Sequence, residues 1–138
     1  MASLIYNSGL GDNAKGLIDF DTDSFKCMLV TSAYTPDKDA HTKRSNVTNE
    51  VTGTNYTAGG AAATVTVNVD TANDRVDVSL GAVSWPTSTI TARGAVYYKA
   101  RGGASSADEL VAYIDFGSDI VSVAGTFALT ASTLRVQN

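Results

Sequence analysis

The sequence predicts an all-β fold, an antiparallel β-sandwich or jelly-roll-like single domain over residues 1–138, with about seven to eight strands and one long irregular loop. Three observations carry this expectation. Short apolar runs rich in Val, Thr and Ala recur between clusters of Gly, Asn, Asp and Ser, the punctuation of strands joined by turns. Two neighbouring segments alternate apolar and polar residues with a period of two. No stretch sustains the three-to-four-residue apolar repeat of a long amphipathic helix.

The first strand expected along the chain is SFKCMLVTS, residues 24–32, with Phe25, Cys27 and Leu29 on one face and Lys26 and Met28 on the other. Residues 35–60 are polar and glycine-bearing, with at most one short helical turn near Asp39 to Ser45. They are too long for a minimal connection between strands. In ATVTVNVD the residues Val65, Val67 and Val69 alternate with polar ones, and in RVDVSL the residues Val76, Val78 and Leu80 do the same. A turn at Thr71-Ala72-Asn73-Asp74 that closes symmetrically sets Val69 against Val76, Val67 against Val78 and Val65 against Leu80. That register makes Val67 and Val78 buried neighbours.

A second pair is expected between Thr89–Ala100 and Glu109–Phe116, joined by RGGASSAD. Both segments are apolar on both faces, as central strands are, so alternation sets no register for them. If the first is regular, Tyr97 and Tyr98 point to opposite faces. DIVSV, GTFALTAS and TLRVQ supply further short strands.

With 43% hydrophobic and 17% charged residues the chain has the composition of a folded protein and enough length for one hydrophobic core. Its net charge of −4 and the scatter of its ten Lys and Arg argue against nucleic acid as a partner. No apolar run approaches the roughly 20 residues of a spanning helix, and MASLIYNSG lacks the features of a secretory signal, so no membrane role is expected. The lone Cys27 has no intramolecular disulfide partner and sits in an apolar strand, where a thiol acts as a small hydrophobe.

No catalytic, cofactor or metal site is expected. Asp19-Phe20-Asp21-Thr22-Asp23 opens like a calcium loop, but Ser24 and Val30 stand where Gly and Glu are required, so a solvated turn is the better reading. His41, the only histidine, reads as an exposed, solvated side chain, and no strained-turn motif frames a nucleophile. Asp108, Glu109, Asp115 and Asp119 are expected to be ordinary sheet-surface charges, not a hydrolytic pair. Gly53, Gly59 and Gly60 lack the spacing of a phosphate loop. The two Asn-X-Thr triplets, at Asn46 and Asn55, are not expected to carry glycans. Trp85, Tyr56, Tyr97, Tyr98 and Tyr113 could build a sugar platform or an interface anchor, or simply core.

NEVTGTNYTAGGAA (residues 49–62), VSWPTSTITARGAVYYKA (83–100), ELVAYIDFGSD (109–119) and GTFALT (125–130) follow one another in an order that resembles small virion structural proteins of tailed bacteriophages. The resemblance spans most of the chain. Asn55 stands where the family-like loop has Gly, and Asn is the next most tolerant residue for a left-handed backbone. The resemblance implies a capsid decoration (cement) protein, placed in the virion after assembly in the host cytoplasm. Its partners would be the major capsid protein or other virion proteins, with a homo-oligomer compatible. A collar, tail or fibre-associated protein and a carbohydrate-binding module are the alternatives. Ordering residues 35–60 costs about 1–2 kcal/mol per residue in backbone entropy. A neighbouring protein is the expected compensation, with Tyr56 as anchor and Lys43 and Arg44 near carboxylates at the rim.

Overall fold

A computed structural model describes residues 2–138. Eight strands and one short helix occur in the order β1 (Leu4–Ile5), α1 (Asn7–Ala14), β2 (Phe25–Val30), β3 (Ala61–Ala63), β4 (Val65–Asp70), β5 (Arg75–Leu80), β6 (Val83–Lys99), β7 (Leu110–Leu129) and β8 (Ser132–Gln137). They form two antiparallel sheets, of five strands in the order β1-β7-β6-β2-β3 and three in the order β4-β5-β8. The all-β sandwich expected from the sequence is the fold observed.

The β4–β5 hairpin has the register that alternation dictates: Val65 pairs with Leu80, Val67 with Val78 and Val69 with Val76. The closing turn is stabilised by the Asp70 carboxylate, which accepts from the Asn73 amide group at 2.8 Å. Asp74 takes a left-handed φ of 53°, which short polar side chains tolerate better than branched ones. The burial expected of Val67 does not hold. Val78 is 4% exposed, whereas Val67 is 37% exposed. β4 is an edge strand, flanked among the described residues only by β5, so its side chains lack the second neighbour that covers Val78.

The inner core lies between the sheets. Phe25, Cys27 and Leu29 of β2 meet Tyr97 and Trp85 of β6, Val78 and Leu80 of β5, Phe127 of β7 and Leu134 of β8. A second apolar cluster of Tyr6, Met28, Val30, Tyr34, Val96, Tyr98, Leu110 and Tyr113 covers the other face of the five-stranded sheet. Tyr97 and Tyr98 therefore do point opposite ways, and each ends in a hydrogen bond: Tyr97 to the Gly81 carbonyl at 2.9 Å and Tyr98 to the Gly59 carbonyl at 2.5 Å. Burying both faces explains why these strands lack simple alternation.

β6 and β7 are longer than the sequence suggests. DIVSV and most of GTFALTAS join ELVAYIDF in one strand that pairs with β6 from Tyr98–Leu110 to Val83–Leu129. Irregular register lets the ribbon bend, most markedly where Ala92 pairs with Ile120 and Gly94 with Asp115, so that residues 116–119 bulge out. Gly94 is needed at that bend, because a Cβ there would lie 2.4 Å from the Tyr113 ring. The helix α1 has no counterpart in the sequence reading. It is short, holds two of its residues as Gly and has a weak apolar face, and Gly9 lets it approach the β7 backbone at Leu110.

Candidate functional site

The segment 35–60 is held by contacts within the chain. The Tyr34 hydroxyl hydrogen-bonds Tyr6 at 2.8 Å and the His41 Nδ1 at 2.9 Å. The Thr31 amide donates to the Asn49 carbonyl and the Val51 amide to the Leu29 carbonyl, each at 3.0 Å, which lays residues 49–51 along β2. Arg44–Asn46 forms one 3-10 turn, close to the short helical turn anticipated nearby. Asn46 Oδ1 accepts from the Thr42 and Lys43 amides at its start.

Tyr56 is the anchor of this segment, and it anchors to its own domain. Its hydroxyl accepts from the Leu29 amide at 2.9 Å and donates to Glu50 Oε2 at 2.6 Å, while its ring packs on Trp85 with centroids 5.9 Å apart. Burial, with the Glu50 carboxylate beside it, pushes the phenol pKa well up, so Tyr56 stays a neutral donor. The Gly59 amide donates to the same Glu50 oxygen at 2.7 Å. These bonds supply compensation for the ordering entropy that the sequence reading sought from a neighbouring protein.

Lys43 and Arg44 do lie beside carboxylates, and these belong to the chain itself. Arg44 Nε is 2.7 Å from Asp108 Oδ2, with the guanidinium carbon 5.1 Å above the Tyr98 ring. Lys43 Nζ is 3.6 Å from Glu109 Oε1. Glu109 also takes a two-nitrogen fork from Arg101, at 2.6 and 2.9 Å. Asp108 and Glu109 are 2% and 3% exposed, which corrects their reading as open-face charges. Burial acts to raise the Glu109 pKa, but Arg101 and Lys43 outweigh it and hold the carboxyl below its usual range. No feature of the linear sequence links residue 44 to residue 108.

The remaining chemical candidates are used structurally. His41 is half-buried and stacked on Tyr34, with its Nδ1 also accepting from the Asp37 amide at 3.2 Å, so it is not the solvated side chain expected from its polar neighbours. Cys27 is fully buried, and burial pushes its thiol up to about 12. Asp19 accepts from the Asp21 amide and the Thr22 hydroxyl, and Asp23 pairs with Lys99 at 2.7 Å, so these carboxylates stabilise their own turn. Asp115 pairs with Arg93 at 3.0 Å, and Asp119 is exposed. Trp85, Tyr97, Tyr98 and Tyr113 are all buried, so they form no exposed sugar platform. No group of three or more His, Cys, Asp or Glu suited to a metal ion occurs among the described residues. No helix among them is long and apolar enough to cross a membrane.

The surface features most unlike an ordinary polar exterior are on β7. β1 covers only Ala112 and Tyr113, so among the described residues β6 is the sole strand neighbour of β7 from Ile114 onward. Along that free edge Ile120, Val121 and Val123 are 43%, 59% and 76% exposed. Sequence reasoning assigned DIVSV to a short strand and missed its exposure. No local signal marked it, since a run apolar on both faces reads equally as a buried central strand.

The fold and surfaces define a two-sheet β protein with a tightly anchored loop over one sheet and an open apolar strand edge. No family model, no curated protein and no solved structure matches the chain.

Proposed function

We propose that this chain is a structural component of a tailed-bacteriophage particle, a capsid decoration (cement) protein that binds the outer shell and reinforces contacts between its subunits. The reading starts from the resemblance of the loop 49–62 and the strands that follow it to small virion proteins. The observation that carries it is the free β7 edge, where three large aliphatic side chains stand in solvent. Exposed apolar residues along an unpaired strand edge form a contact surface for another polypeptide. The tight internal anchoring of residues 35–60 supports the same reading, since a rigid surface loses little entropy on docking. The partner is the major capsid protein, and the place of action is the virion, assembled in the host cytoplasm.

The test uses purified protein and particles lacking it. Val121→Lys and Val123→Lys place charges on exposed positions and should leave thermal unfolding unchanged. Unaltered protein should co-sediment with tail-free capsids, and the double variant should not. Attachment to isolated tails or fibres in place of capsids would overturn the decoration reading, and undiminished capsid binding by the variant would remove β7 from the interface.

A further inference from the structure

Three of the ten basic side chains of this acidic protein line one cavity. It has a volume of about 470 Å³ and lies between β2, the 3-10 turn at Arg44 and the loop after β6, with Lys26, Arg44, Arg101, Asp108, Tyr98 and Gly103 in its wall. Asp108 in the wall and Glu109 behind Arg101 offset two of the three cations, which leaves a local charge of +1 in a chain whose net charge is −4. This local excess opposes the sign of the whole molecule.

The two guanidinium groups are held in place from behind. Arg44 uses its Nε on buried Asp108 and lies over Tyr98, and its two Nη groups have no protein acceptor among the described residues. Arg101 places Nε and Nη2 on buried Glu109, and its Nη1 likewise has no protein acceptor among the described residues. Lys26 of β2 is paired with Tyr98 of β6 and so lies on the same face, and it makes no ion pair among the described residues. A guanidinium fixed by a buried carboxylate spends little further entropy in receiving an anion, and its free edge matches a carboxylate in plane. The mouth is open, because a Cβ on Gly102 or Gly103 would meet nothing within 4 Å.

We infer that this cavity is a binding site for an acidic polypeptide segment, which would set carboxylate side chains against Arg44, Arg101 and Lys26. The charge excess at Lys26 and the free Nη groups of Arg44 and Arg101 together call for a negatively charged partner with several acceptor oxygens. The volume falls in the range of ligand pockets, roughly 300–1,000 Å³, well above the space of one small oxyanion. The open glycine mouth gives a peptide backbone room to pass. The site is distinct from the β7 edge, and the inference does not depend on the particle reading.

The experiment is an amide-resonance titration of the whole protein with a short peptide of alternating Asp and Glu. A Lys-containing peptide of equal length, inorganic phosphate and a short single-stranded oligonucleotide serve as alternative ligands. Saturable shifts centred on Lys26, Arg44, Gly102 and Gly103 are expected with the acidic peptide alone. Affinity should fall about tenfold in Lys26→Glu, an exposed position whose change leaves the buried carboxylates paired. It should also fall as salt rises from about 0.05 M to about 0.5 M. Arg101→Gln provides a second variant, with Lys43 still beside Glu109, and should weaken binding in the same direction. Absence of shifts, shifts unchanged in both variants, or tighter binding of phosphate or the oligonucleotide than of the peptide would overturn the inference.

Discussion

Val67 and Val78 face each other across the β4–β5 hairpin, yet Val78 is sealed in the core while Val67 stands at its margin. Their substitution by Asp should therefore differ sharply. Val78→Asp would bury an unpaired charge and is expected to cost about 3–5 kcal/mol. Val67→Asp can reach water and should cost about 1 kcal/mol. Chemical denaturation of the two variants side by side checks this, and equal losses would show that the edge strand is covered in solution.

Tyr56→Phe removes one oxygen and leaves the ring on Trp85. The Leu29 amide then loses its acceptor and Glu50 loses a donor, both in a partly buried setting. A loss of about 1–3 kcal/mol is expected. Hydrogen exchange should quicken at Leu29 and Gly59 before it does in the β6–β7 ribbon, which reports the release of the segment and not of the core.

Gly60 and Asn55 both have left-handed backbones, with φ of 80° and 60°, but tolerate change differently. A Cβ at Gly60 would stand 1.8 Å from the Cys27 carbonyl oxygen, so Gly60→Ala should cost at least about 2 kcal/mol. Asn55→Gly relieves the backbone and gives up one hydrogen bond to the Thr87 carbonyl, so the net change should stay under about 1 kcal/mol. Thermal unfolding of both variants measures the contrast.

Acid should weaken the fold partly through Glu109. Its folded pKa lies below the usual carboxylate value, so the stability it contributes is present above about pH 4.3 and is lost as pH falls through the folded pKa. Denaturation at neutral pH and again below pH ~4 should show a smaller difference for Glu109→Gln than for the unaltered chain. An identical difference would assign the acid sensitivity to other carboxylates held below their usual range, such as Asp77 beside Arg135.

Much of the fold is legible in the chain because it is local. The valine alternation at Val65–Val69 and Val76–Leu80, closed by a polar four-residue turn, determines pairing partners without reference to anything else. The two faces of β2 are readable for the same reason. The length of β7 was not legible, since Gly117 and the bulge at residues 116–119 look like a strand end in sequence but are bridged by pairing to β6.

Residue type and period determined the sandwich, its hairpin register and the opposed directions of Tyr97 and Tyr98. Tertiary structure alone decided that Arg44 reaches Asp108, that Tyr56 turns its hydroxyl onto Leu29 and Glu50, and that Ile120, Val121 and Val123 remain uncovered. The physical reason is range. Backbone preference and side-chain period act over a few residues, whereas burial and ion pairing depend on which distant strands and loops share a surface, and a charge or a valine carries the same local signal whether that surface is covered or open.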